Sequence, residues 1–228
     1  MIKAVLLDSD DTILDFQMAE HIALKKTLAQ IGIEPTEENI SLYSEINKRH
    51  WEMLERGELT RPQVLVRRFD RFFEALGVEG DSEATQASYN HNLGIGHYFI
   101  PGAVELLENL SRDYKLYMVT NGNESVQVPR LASAGIEHFF EEIFISQRIG
   151  CDKPKIEFFE RCFEKMPHYE KDEMIIIGDS LTSDIKGGIN AGIHTCWFNP
   201  RGKQGREDIV PEYVVGSLEE IPALLKSL

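Results

Sequence analysis

Cysteine is scarce in this chain of 228 residues: Cys151, Cys162 and Cys196 are the only three, and no two form a C-x-x-C pair. Three thiols cannot all pair with one another, so neither a disulfide framework nor a structural zinc site is expected. A reducing cytoplasm is the expected setting. Long apolar runs are also missing, and no stretch approaches the ~20 residues that span a bilayer, so no membrane partner is expected. The N-terminus passes from Met1 through Lys3 into Ala4-Val5-Leu6-Leu7 and then at once into acids, unlike a secretory signal. Cations are outnumbered, 24 Lys and Arg against 38 Asp and Glu, for a formal net charge of −14. Nucleic-acid polymers are held by clustered cations, so this balance argues against them as partners. A monomer or small homo-oligomer acting on a small molecule is expected, and any phosphate it binds needs locally placed cations.

What is present suits a buried core: 42% of the residues are hydrophobic, enough for one larger domain or one domain carrying a smaller companion. Short β-branched and apolar runs recur with helical patterns between them, the mark of a parallel sheet covered by helices. Five strands are expected, at about Lys3–Leu7, Leu116–Thr120, Ile143–Ser146, Met174–Ile177 and Thr195–Phe198, with an edge piece at Tyr213–Val215. More than a hundred residues separate the first two, far more than a crossover needs. The intervening apolar stripes, such as Leu65, Phe69, Phe72, Phe73 and Leu76, keep helical spacing. The fold expected is therefore α/β: a Rossmann-like parallel sheet with an inserted helical-bundle cap. The core takes residues 1–15 and 94–228, the cap takes 16–93, and the glycine-rich stretch from Gly94 to Gly102 is the return hinge. Pro129 is expected to begin the helix that follows Asn121.

The chemistry is concentrated at strand ends. Leu6-Leu7-Asp8-Ser9-Asp10-Asp11-Thr12 empties a buried strand into three carboxylates and a hydroxyl. Two negative charges about 4 Å apart repel by roughly 4 kcal/mol at an effective dielectric near 20, so such clusters are normally neutralised by a metal. Ile175-Ile176-Ile177-Gly178-Asp179-Ser180 repeats the design, with Asp184 five residues beyond Asp179. Hard oxygen donors suit magnesium, and Asp8, Asp179 and Asp184 can hold one octahedral ion with water completing it. Val119-Thr120-Asn121-Gly122 at a third strand end and Asp152-Lys153-Pro154 before a helix offer a hydroxyl, backbone amides and an ammonium. An anionic phosphate needs such groups to approach an anionic aspartate.

In their order along the chain, Asp8-x-Asp10-x-Thr12, Thr120, Lys153 and Gly178-Asp179-x4-Asp184 resemble the four motifs of the haloacid-dehalogenase-like phosphohydrolases. The resemblance covers essentially the whole chain. It implies strand order 5-4-1-2-3, Asp8 as nucleophile and Asp10 as general acid and then base. It also implies Thr120, Asn121 and Lys153 as phosphate ligands, and a magnesium ion held by Asp8, Asp179, Asp184 and the Asp10 main-chain carbonyl. Within the cap, Asn47-Lys48-x-x-Trp51, Gly57-x-x-Thr60 and Arg68-Phe69 look like the bacterial pyrimidine 5′-nucleotidase branch, as do Ser183-Asp184-Ile185-x-Gly187-Gly188 and Thr195-Cys196-Trp197. By that resemblance Trp51, Arg68 and Phe69 are possible contacts for a nucleotide base. The expected activity is magnesium-dependent hydrolysis of phosphomonoesters, with pyrimidine nucleoside 5′-monophosphates as substrates. Three other readings are open: a phosphatase for another small ester such as a sugar phosphate or phosphoglycolate, a phosphomutase, and a phosphate-binding module without turnover. A dehalogenase needs neither Asp10 nor a metal.

Overall fold

The computed structural model describes all 228 residues. Its strands are β1 (Ala4–Leu7), β2 (Lys115–Thr120), β3 (Glu142–Ile145), β4 (Met174–Gly178), β5 (His194–Phe198) and β6 (Tyr213–Val215). Its helices are α1 (Phe16–Gln30), α2 (Glu37–Glu55), α3 (Arg61–Leu76), α4 (Ser82–Gly94), α5 (Ala103–Asp113), α6 (Glu124–Ala134), α7 (Ser146–Ile149), α8 (Ile156–Phe163), α9 (Lys186–Ala191) and α10 (Ile221–Lys226). No helix is long and apolar enough to cross a membrane.

All strand pairings are parallel, and the order across the sheet is β3-β2-β1-β4-β5-β6. The five-stranded order expected from the sequence is thus extended by β6, which pairs with β5 through Trp197 opposite Val214. Apolar cover lies on both faces, as continuous runs such as Val5-Leu6-Leu7 and Ile175-Ile176-Ile177 require. Val5, Leu7, Met118, Ile175 and Ile177 pack with Leu106 and Leu107 of α5 and Ile221 of α10. Leu6, Tyr117, Val119 and Ile176 point the other way, onto Phe158 and Phe159 of α8. Leu7 sits opposite both Met118 and Ile177, so the residues that follow each of these three strands emerge side by side.

Between β1 and β2 stand α1–α4, which share their own apolar cluster built on Leu24, Tyr43, Phe69, Phe72 and Tyr89. Tyr43 lies 4.9 Å from Phe69 and 5.7 Å from Phe72, centroid to centroid. The helix starts are capped as their sequence dictates. Asp15 accepts from the Met18 amide at 2.8 Å and Thr36 from the Asn39 amide at 3.2 Å. The outgoing and returning chains are stitched together, with the Asp15 amide on the Tyr98 carbonyl at 2.8 Å and the Ile100 amide on the Ile13 carbonyl at 3.0 Å.

Two expectations need correction here. The helix after Asn121 begins at Glu124, not at Pro129, which lies inside α6. A proline there forfeits the single bond to the Ser125 carbonyl. The burial of Val126 and Leu131 on the inner side of α6 offsets that loss. Phe69 and Arg68 are also not where a base contact requires them. Phe69 is fully buried in the apolar cluster of α1–α4. Arg68 is buried between Asn47 (2.6 Å) and Gln86 (2.7 Å), its guanidinium over the rings of Tyr43, Phe69 and Tyr89. A helix stripe recurring every three to four residues identifies a buried face without saying whether a core or a ligand covers it, and here it is the core.

Candidate active site

The turn after β1 is shaped by its own side chains. Asp11 adopts a left-handed backbone (φ 59°), tolerated by aspartate because its carboxylate bonds locally, here to the amides of Phe16 (3.0 Å) and Gln17 (3.3 Å). Thr12 donates to Asp8 at 3.4 Å and accepts from the Asp179 amide at 3.1 Å, so its hydroxyl ties the end of β1 to the end of β4. After Gly178 comes one wide turn, Leu181–Ile185, in which the Ile185 amide reaches back to the Ser180 carbonyl at 3.1 Å. Such wide turns recur at functional sites. This one brings Asp184 back over Gly178, where a β-carbon would stand 2.3 Å from the Asp184 carboxylate, so only glycine fits.

Asp8, Asp179 and Asp184 converge, each offering one oxygen, with these atoms all within 4.8 Å of one another. Lys153 stands among them. Its ammonium donates to Asp8 at 2.7 Å, to Asp184 at 2.6 Å and to the Val119 carbonyl at 2.7 Å, and it is only 1% exposed. Burial opposes the charge on Lys153, but Asp184 and Asp8 outweigh it and hold the ammonium well above its ordinary value. Burial, reinforced by repulsion from Asp184, raises the Asp8 carboxyl well above the usual range despite Lys153. Asp179 is pushed up to about 7, chiefly by burial, with Lys203 opposing at 2.9 Å and Asp184 adding repulsion. Three mutually repelling, desolvated carboxylates with hard oxygens are the donor chemistry a divalent ion satisfies, so the residues fit such an ion.

The expected phosphate ligands are brought beside this cluster, with one change of role. Thr120 is buried at the end of β2 and accepts from the Gly122 amide (3.0 Å) and from Gln127 (3.2 Å). The Asn121 side chain is not free for phosphate. It accepts from the Lys153 amide and donates to the Lys153 carbonyl, both at 2.9 Å, because the loop carrying Lys153 needs a fixed partner. Asp10 stands at the edge of the site, held by Arg130 at 2.7 Å and Gln127 at 2.6 Å.

A cavity of about 900 Å³, within the range of small-molecule sites, lies between α1–α2 and the loops after β4 and β5. Asn47, Lys48, Trp51 and Glu55 line one side, and Asp179, Arg201 and Lys203 the other. Asp8, Asp10, Thr120 and Lys153 do not line it, and Asp179 is where it meets the carboxylate cluster. Of the three expected base contacts only Trp51 faces this space, with Arg61 at 5.4 Å from its ring. Arg61, at the start of α3, also reaches the segments after β2 and β3, donating to the Asn121 carbonyl (2.7 Å) and Ser146 (2.6 Å) and pairing with Asp152. Sequence reasoning passed over Arg61, Gln127, Arg130 and Lys203. Only the Gln127-x-x-Arg130 spacing, which puts both on one face of a helix leaving a strand end, could have signalled the middle two.

Parallel sheet, helical insert and strand-end carboxylates together define a class of enzyme, and the family comparison agrees. The model of the haloacid dehalogenase-like hydrolases matches residues 2–192, and the chain belongs to that family. Phosphoric monoester hydrolysis, the reaction class expected from the motifs, is consistent with this membership.

Among its relatives, the HAD-hydrolase YfnB of Bacillus subtilis is 40% identical over 98% of this chain and 95% of its own. A crystal structure of YfnB, described as bound to magnesium and as revealing interdomain movement, superposes with a TM-score of 0.94 over 98% of both chains. The pyrimidine 5′-nucleotidase PynA of Streptococcus pneumoniae is 36% identical over 96% of this chain and 93% of its own. The pyrimidine 5′-nucleotidase YjjG of Escherichia coli is 31% identical over 97% and 96% respectively.

Proposed function

We propose that the chain is a magnesium-dependent phosphomonoesterase that works through an aspartyl phosphate on Asp8, with pyrimidine nucleoside 5′-monophosphates as substrates. The observation that carries the reading is the Asp8 carboxylate itself. It is desolvated at a strand end, contacted by the ammonium of Lys153, and has a second acid, Asp10, two residues on along the same turn.

When bound by Asp8, Asp179 and Asp184, magnesium supplies the charge neutralisation that lets an anionic ester approach an anionic nucleophile. Lys153 and the Thr120 hydroxyl hold the phosphoryl oxygens. One oxygen of Asp8 attacks phosphorus, the ester P–O bond breaks, and Asp10 gives its proton to the departing oxygen. Asp10 then takes a proton from water as that water attacks the aspartyl phosphate, which returns Asp8 and releases inorganic phosphate.

In this reading α1–α4 are a cap. Asp8 is only 7% exposed and does not line the cavity, so substrate entry requires the cap to swing. The stitched chains at 13–15 and 98–100 are the pivot, and Arg61 is a contact that breaks on opening. Trp51 offers a stacking face in the cavity for a one-ring base.

The test is release of phosphate from matched pyrimidine and purine monophosphates and sugar phosphates, with magnesium and with chelator, by the wild type and Asp8→Asn. Magnesium-dependent turnover led by the pyrimidine nucleotides and absent in Asp8→Asn is expected. A sugar phosphate preferred tenfold, about 1.4 kcal/mol of transition-state stabilisation, would replace the substrate class. Activity in Asp8→Asn would remove the nucleophile.

A further inference from the structure

Arg130 has no place in the motif set, yet it is the largest side chain in the molecule that is fully withdrawn from solvent. A buried guanidinium is costly unless each donor is met. Here the donors are not all met: Nη1 donates to Asp10 at 2.7 Å and to Gln127 at 3.4 Å, while Nε and Nη2 have no partner. The face of Phe16, the first residue of α1, lies 5.8 Å from the guanidinium carbon. An apolar side chain would fill this space at lower cost, so the charge must be accounted for by what Nη1 touches.

That contact is one half of a clamp. One turn earlier on α6, Gln127 donates to the other oxygen of Asp10 at 2.6 Å and to Thr120 at 3.2 Å. Gln127 reaches them across Gly122, where a β-carbon would stand 2.2 Å from its amide nitrogen. Each Asp10 oxygen thus accepts one fixed donor. A carboxylate has about four lone-pair positions, so each oxygen keeps one free for a proton in transit. We propose that Gln127 and Arg130 are positioning residues that fix the Asp10 carboxyl for proton transfer to the departing ester oxygen and from the attacking water. Because Gln127 also holds Thr120, the clamp sets the acid and a phosphate ligand in one frame. The inference rests on the acid–base role proposed for Asp10.

The test uses kcat/KM, which reports steps through departure of the leaving group, for uridine 5′-monophosphate and for p-nitrophenyl phosphate, whose phenolate departs without a proton. Arg130→Met is expected to lose about tenfold or more on the nucleotide, a fraction of what a general acid contributes, and less than about threefold on the aryl ester. Gln127→Leu, which strips no charge from the buried pair, should discriminate in the same direction. Asp10→Asn carrying Arg130→Met should be no slower than Asp10→Asn alone, since the arginine acts through the acid. Equal losses on both esters in Arg130→Met and Gln127→Leu, with Asp10→Asn still discriminating, would overturn the positioning role and leave the acid in place. A double variant well below Asp10→Asn would do the same. If Asp10→Asn itself fails to discriminate, the acid role falls and the inference with it.

Discussion

Replacing Lys153 by methionine tests how the carboxylate cluster is held. Methionine keeps the volume and removes the ammonium that bonds Asp8 at 2.7 Å, Asp184 at 2.6 Å and the Val119 carbonyl at 2.7 Å. Asp8 and Asp184 offer oxygens within 4.8 Å of one another, so two ionised groups at that distance repel by about 3.5 kcal/mol at an effective dielectric near 20. This agrees with the 3–5 kcal/mol typically lost when one partner of a buried ionic contact is removed. In chelator at pH 8, urea unfolding should therefore show Lys153→Met destabilised by roughly 3–5 kcal/mol, at unchanged m-value. As the pH is lowered the loss should shrink, because protonation of Asp8, favoured by burial and by Asp184, ends the repulsion. With magnesium the loss should shrink again while turnover stays abolished. A loss below about 1 kcal/mol at pH 8 in chelator would show that Lys153 does not balance this cluster.

Asp179 gives a second, pH-resolved test. Its folded value of about 7 lies above the ordinary aspartate value, so between roughly pH 4 and 7 the folded state binds the extra proton and this group lowers stability as pH rises. In chelator, Asp179→Asn should melt close to wild type below about pH 4 and progressively above it as the pH rises to 8, with saturating magnesium reversing the order at pH 8; a difference independent of pH would refute this. Trp51→Ala should cut kcat/KM for uridine 5′-monophosphate about tenfold, as loss of base stacking worth about 1–3 kcal/mol implies, with the melting temperature little changed. Phe69→Ala should instead cost about 3–5 kcal/mol of stability and leave the pyrimidine-to-purine ratio as it was; the opposite pattern for the two would contradict their placement.

What was legible in the sequence follows from period and position. β1 and β4 are buried on both faces, so they read as unbroken apolar runs, and acids directly after such runs lie at the mouth of a parallel sheet. Asp8, Asp179 and Asp184 are grouped on that ground by sequence alone, and Lys153 joins them by its place in the motif order. Phe69 could not be separated from Trp51, because both sit on amphipathic helices and only tertiary packing decides that one faces Tyr43 and the other the cavity. Pro129 misled because a proline signals a helix start, whereas the capped turn at Asn123 had already begun α6, with the Ser125 amide on the Asn123 carboxamide at 3.1 Å. Arg61 escaped notice because its partners Asn121, Ser146 and Asp152 lie 60–91 residues away and meet it only where the start of α3 reaches the segments that follow β2 and β3.

The central claim, that phosphate passes through Asp8, is tested most directly by the stereochemical course at phosphorus. Hydrolysis of a nucleoside monophosphate made chiral with oxygen isotopes and sulfur, run in labelled water, separates one displacement from two. Transfer to Asp8 followed by attack of water inverts the centre twice, so the account predicts net retention. Net inversion would mean that water attacks the ester directly, and Asp8 would then not be the nucleophile.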